Sequence, residues 1–78
     1  MLTKGENMPL LNAPLNVELK IIKILVDEKT KRHLENLGVL VNALVTVMQV
    51  SEGNVIIKIK NVRLAINKST AMKIFVAA

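Results

Sequence analysis

Four stretches of this sequence alternate aliphatic with other side chains at a period of two. They are Val17-Glu18-Leu19-Lys20-Ile21, Val55 to Lys60, Val62-Arg63-Leu64-Ala65-Ile66 and Met72-Lys73-Ile74-Phe75-Val76. That period sends successive side chains to opposite faces of an extended chain, so each stretch reads as a strand with one buried face. A fifth, Ala43 to Val50, is a nearly continuous apolar run rich in β-branched residues, which suits a strand as well. Turn chemistry separates them. Ser51-Glu52-Gly53-Asn54 is a turn cluster, Asn61 marks a tight reversal, and Asn67 to Ala71 reads as a short polar turn of 3₁₀ type. Five short strands at a spacing of roughly ten residues point to a mainly β chain folded as a small closed barrel.

The first strand does not keep one phase. Val17, Leu19 and Ile21 carry the apolar face at first, and Ile22, Ile24 and Val26 carry it afterwards. A slip of one residue turns every later side chain over, so a bulge or sharp bend is expected near Ile21-Ile22. Lys31 to Leu37 then reads as a short helix between the first and second strands. Asp27 or Thr30 can cap its start, and Leu34 and Leu37 share one face. Gly38 stands where such a helix ends on a left-handed residue, with Val39 or Leu40 folding back on the last turn. A rival pattern runs through Leu34, Leu37, Val41, Leu44 and Met48 at heptad spacing. Gly38, Asn42 and the β-branched residues from Val39 to Val50 argue against one long helix there. Pro9 and Pro14 bracket a short lead-in. Residues 1–7 read as a flexible polar tail, which leaves 8–78 as one domain.

Composition narrows the chemistry. No cysteine is present among the 78 residues, which excludes a disulfide framework and thiolate metal sites. No apolar run follows the first charges, so no secretory signal is expected. The most apolar segment, Leu37 to Val50, is interrupted by Asn42, Thr46 and Gln49 and is shorter than the roughly 20 residues of a membrane span. A soluble cytoplasmic chain is the expectation. Eleven basic against six acidic residues give a net charge of +5, which favours acidic partners. Hydrophobic residues make up 51% of the chain with Phe75 as the one aromatic, an excess of aliphatic surface that a small core hides only in part.

Catalysis finds no support: there is one histidine, no nucleophile with an obvious base, and no glycine-rich phosphate loop. Asp27 and Glu28 suit the start of a helix, where the dipole favours negative charge. His33 is the one candidate for metal contact, but Glu28 and Glu35 lie at the wrong helical spacing to join it and no second histidine exists. Lys20, Lys23, Lys58, Lys60 and Arg63 fall on outward phases and form a candidate basic face. Nucleic acid is disfavoured because no stacking platform accompanies them. Outward lysines also guard strand edges against aggregation.

The order NVELKIIKI, KRHLENLGV, VNALVTVM and VIIKIKNVRLAI resembles the FeoA family, ferrous iron transport protein A. The matching pieces are Val17 to Ile24, Arg32 to Gly38, Ala43 to Met48 and Ile56 to Ile66. Two positions depart from the family pattern: Val41-Asn42 replaces a Pro-Gly turn, and Asn61 replaces a glycine. Asn accepts the left-handed conformation, so the turn survives. The resemblance implies an SH3-like β-barrel of about five strands with one short α-helix. It also implies an accessory, non-enzymatic role in bacterial ferrous iron uptake. The implied partner is the cytoplasmic GTP-binding region of the FeoB-type permease, which would recruit the chain to the inner face of the membrane. No cofactor is expected beyond a weak or indirect link to Fe²⁺. Candidate partner-binding residues are Arg32, Leu44, Ile56, Lys58 and Arg63. Alternatives are a nucleic-acid-binding barrel and a stand-alone relative of the SH3-like domain of iron-dependent repressors.

Overall fold

The computed structural model of the chain describes residues 7–77. The expected tail lies outside them apart from Asn7. The elements in order are β1 (Met8–Pro9), a 3₁₀ turn (Leu10–Asn12), β2 (Glu18–Ile24), α1 (Glu28–Asn36), β3 (Leu44–Val50), β4 (Asn54–Ile59), β5 (Val62–Asn67), α2 (Lys68–Ala71) and β6 (Ile74–Ala77). The strands form one antiparallel sheet of six in the order β1-β6-β2-β3-β4-β5. The lead-in thus supplies a sixth strand that the sequence pattern does not announce, because two residues are too few to show a period.

Inward positions alternate as the pattern requires. Leu19 and Ile21, Val45 and Val47, Val55, Ile57 and Ile59, and Ile74 and Val76 are all buried in one core. Leu10, Leu34, Val39 and Ala71 close it from the turns and helices. Val62, expected on an inward phase, is exposed at the first position of β5 although it pairs with Ile59. Val17 and Met72, also expected inward, are exposed and lie just outside β2 and β6. With no ladder to hold the pleat there, the alternation ends before the apolar residues do.

Bulges bend the sheet. The register of β2 against β6 shifts between Ile21 and Lys23, where the apolar phase slips in the sequence. A second shift, between Val47 and Gln49, lies on β3 against β4. These bends coil the sheet, but β1 and β5 stand at its two ends with no ladder between them. The barrel is therefore not closed by strands. The 3₁₀ turn after β1 and α2 after β5 touch each other instead.

The helix begins at Glu28, three residues before the expected Lys31, with Asp27 at its N-cap. The Asp27 carbonyl accepts from the Lys31 N–H at 2.9 Å. The Thr30 side chain beside the Asp27 carboxylate holds that group below the usual carboxylate range, although no side-chain bond to a backbone N–H completes the cap. Its end is a Schellman motif. The Val39 N–H donates to the Leu34 carbonyl at 2.9 Å and the Gly38 N–H to that of Glu35 at 3.0 Å, with Gly38 at φ +93°. The segment Asn67 to Ala71 forms one α turn rather than a 3₁₀ turn, because the Asn67 Oδ1 accepts from the Thr70 N–H at 2.8 Å and caps it.

Asn42 takes the left-handed conformation expected of it, at φ +78°, and its N–H donates to the Ile21 carbonyl. At the β4–β5 hairpin the positive φ falls on Lys60, at +57°, and not on Asn61. A two-residue hairpin turn needs a positive φ at both central positions or at the first alone, and here it is the first, Lys60, that takes it.

Gly38 yields a direct prediction. A Cβ added there would meet Ile59 Cγ2 at 3.8 Å, an ordinary contact. The cost of Gly38→Ala is therefore backbone strain, about 1–2 kcal/mol. Thermal melts followed by circular dichroism should fall by about 4–8 °C for each kcal/mol lost. Gly38→Asn should lose less, since Asn accepts this conformation.

Candidate functional site

The outer surface of β3, β4 and β5 gathers four of the five residues expected to meet a partner. Register places Glu18, Thr46, Lys58 and Arg63 in one line across β2, β3, β4 and β5. One pleat away, Leu44 lies opposite Lys20; on the other side Ile56 lies opposite Ala65. All of these point away from the core, since Val45, Val47, Ile57 and Ile59 beside them are buried. Leu44 is 50% exposed, whereas Ile56 is half-buried.

Electrostatics gives this face a sign. Lys58 and Arg63 are direct cross-strand partners. Like charges in that position destabilise a ladder, and an anionic surface laid on them would relieve the repulsion. Beside them a shallow depression of about 320 Å³ is lined by Leu44, Thr46, Lys58 and Lys60 with Glu18 as its one carboxylate. Its floor is apolar through Ala43 and Ile59. An exposed leucine framed by lysines suits a protein surface with an apolar anchor and an acidic rim. Glu18 and Thr46 were not among the candidates read from the sequence, because only the register sets them in line with Lys58.

Two expected members do not join. Arg32 is exposed on α1, a separate element. Lys23 leaves the basic face: its Nζ sits 5.4 Å from the centre of the Phe75 ring. Its strand faces β6 there, with β3 intervening before β4. The bulge redirects the strand beyond Ile21, so outward phase alone does not place Lys23 beside Lys58.

His33 is exposed on α1, beside Asn67 and Thr70 across a groove. Among the described residues no three His, Asp or Glu side chains gather as a metal ion would require. No helix among them is long and apolar enough to cross a membrane.

A strongly bent antiparallel sheet around an aliphatic core, with one helix after its first long strand, defines an SH3-like barrel. The FeoA domain model matches residues 8–78, and the chain belongs to the FeoA family. Family membership places it in ferrous iron transport. Solved structures agree on the fold. The iron uptake regulatory protein FeoA superposes with a TM-score of 0.83 at 23% identity, over 92% of this chain and 97% of that one. A FeoA-like protein from Clostridium acetobutylicum does so with a TM-score of 0.78 at 18% identity, over 92% of this chain and 86% of that one. A manganese-dependent transcriptional repressor gives 0.87 at 14% identity, with 97% of this chain matching 44% of the repressor. No curated protein sequence matches the chain.

Proposed function

We propose that this protein is an accessory and regulatory component of bacterial ferrous iron uptake. It binds the cytoplasmic GTP-binding region of a FeoB-type permease and performs no catalysis itself. The observation that carries this reading is the opposition of Lys58 and Arg63 beside the exposed Leu44. Membership of the family supplies the iron-transport setting. On this reading the protein works in the cytoplasm and reaches the inner face of the membrane through its partner. Its link to Fe²⁺ is indirect, through the permease.

The nucleic-acid alternative is weaker than the charge alone suggests. Lys23 is engaged on Phe75, and Glu18 interrupts the cationic row. The test is to record amide NMR spectra of labelled protein while the permease's GTP-binding region is added. Shifts should cluster on Leu44, Thr46, Lys58 and Arg63. A spectrum that does not move removes this partner, and shifts confined to α1 remove this face.

A further inference from the structure

Strand β5 carries a second open surface, its edge. The hairpin turn holds two residues, so Ile59 and Val62 form a hydrogen-bonded pair. Alternation then makes Ile57–Leu64 and Val55–Ile66 hydrogen-bonded pairs too. The N–H and C=O groups of Arg63 and Ala65 consequently point away from β4. β5 ends the sheet, and among the described residues no backbone hydrogen bond reaches these groups.

Edge strands are commonly protected by proline, bulges or covering segments. This one has no proline, and its pairing with β4 runs in unbroken register from Asn54–Asn67 to Ile59–Val62. The sheet's bulges lie on β2 and β3 instead. Across from the edge, Thr30, His33, Leu34 and Leu37 of α1 and its cap face Ala65 and Asn67 over a groove of about 260 Å³. A regular free edge beside a helix is the arrangement in which a sheet accepts an added strand.

We propose that this groove takes an extended acidic segment of a partner protein, which adds to β5 as a further strand. The main-chain groups of Arg63 and Ala65 hold its backbone. An apolar side chain of the segment packs on Leu37, which is 40% exposed, over the buried Leu34. Charge selects the occupant. No carboxylate lines the groove; the nearest, that of Asp27 at the helix cap, is engaged by the Thr30 side chain and feels the positive charge of Lys73. At 100° per residue, Lys29 stands one turn from His33 on the groove's flank, while Glu28 and Glu35 fall on the opposite side of the helix. Arg63 lies outside the groove, on the outer face of β5, where it would stand beside outward residues of an added strand. A second copy of the chain would bring its own cationic edge and a net charge of +5 against these groups. This inference concerns the edge of β5, which shares Arg63 with the outer face of β3–β5, and stands whether or not the permease is the partner.

The probe is a blocked peptide of about ten residues alternating valine and glutamate, added to the labelled full chain. Amide exchange at Arg63 and Ala65 should slow, and the amides of α1 should shift. The same peptide N-methylated at alternate residues should give no protection, because its strand-forming donors are gone. A valine–lysine peptide should bind at least about tenfold more weakly, and Lys29→Glu should weaken the glutamate peptide by about two- to fivefold. The proposal is overturned if Arg63 and Ala65 exchange at the free rate in millimolar peptide, or if the lysine peptide binds equally well. Protection that rises with protein concentration alone would give the edge to a second copy and would equally overturn it.

Discussion

Ile57→Ala is expected to cost about 2–5 kcal/mol, close to half of the roughly 4–12 kcal/mol that a domain of this size holds. Ile57 is fully buried. It sits at the middle of β4, paired with Val47 on one side and Leu64 on the other. Deleting its branched side chain loses the transfer free energy of the removed carbons. It also leaves a void that neighbouring strands cannot close without breaking their ladders. In urea, with a slope of about 1 kcal/mol per molar, the midpoint should fall by about 2 M or more. Ile56→Ala is the matched control. It removes the same atoms one residue earlier, on the outer face, where Ile56 is half-buried opposite Ala65. Its cost should be well under half that of Ile57→Ala. The reverse order would mean that β4 is out of register by one residue, which would exchange the core and solvent faces of the whole strand.

Leu44→Asp carries the largest expected effect on function: a loss of affinity for the permease's GTP-binding region of about thirtyfold or more, equivalent to at least about 2 kcal/mol. Leu44 is the exposed apolar centre of the outer face, and the change replaces an anchor with a charge that an acidic partner repels. Folding should survive. An aspartate in a strand costs at most about 1 kcal/mol in propensity, and its cross-strand neighbour is Lys20, which offers an opposite charge. A melt near that of the parent, together with lost binding, identifies the surface. Unchanged binding with an unchanged melt removes Leu44 from it.

The outer face was partly legible in the sequence. Alternation around Lys58 and Arg63, with a reversal at Asn61, predicts that the two side chains point outward from neighbouring strands; their direct pairing comes from the turn at Lys60-Asn61. Leu44 was legible as outward by the same rule. Its pairing with Lys20 was not, because 19 residues, a helix among them, separate β2 from β3, and periodicity names a face but no neighbour. Lys23 shows the limit most clearly. Its phase is outward, as read, yet a bulge and the strand order carry it to Phe75. The groove beside β5 was invisible for the same reason: α1 and β5 are remote in sequence, and only packing sets Leu37 near Ala65.

By itself the sequence determined the local geometry of this protein. The period of two placed the strands, the phase slip at Ile21-Ile22 placed the bulge, and Gly38 after Leu37 placed the helix stop. Each is decided within a few residues by side-chain direction or by allowed backbone angles. The tertiary structure alone decided which strands are neighbours. It recruited Met8–Pro9 to β6, left the seam between β1 and β5 without a ladder, and aligned Glu18, Thr46, Lys58 and Arg63. Those outcomes depend on hydrogen bonds and core contacts formed over long loops, for which a local pattern of polar and apolar residues carries no address.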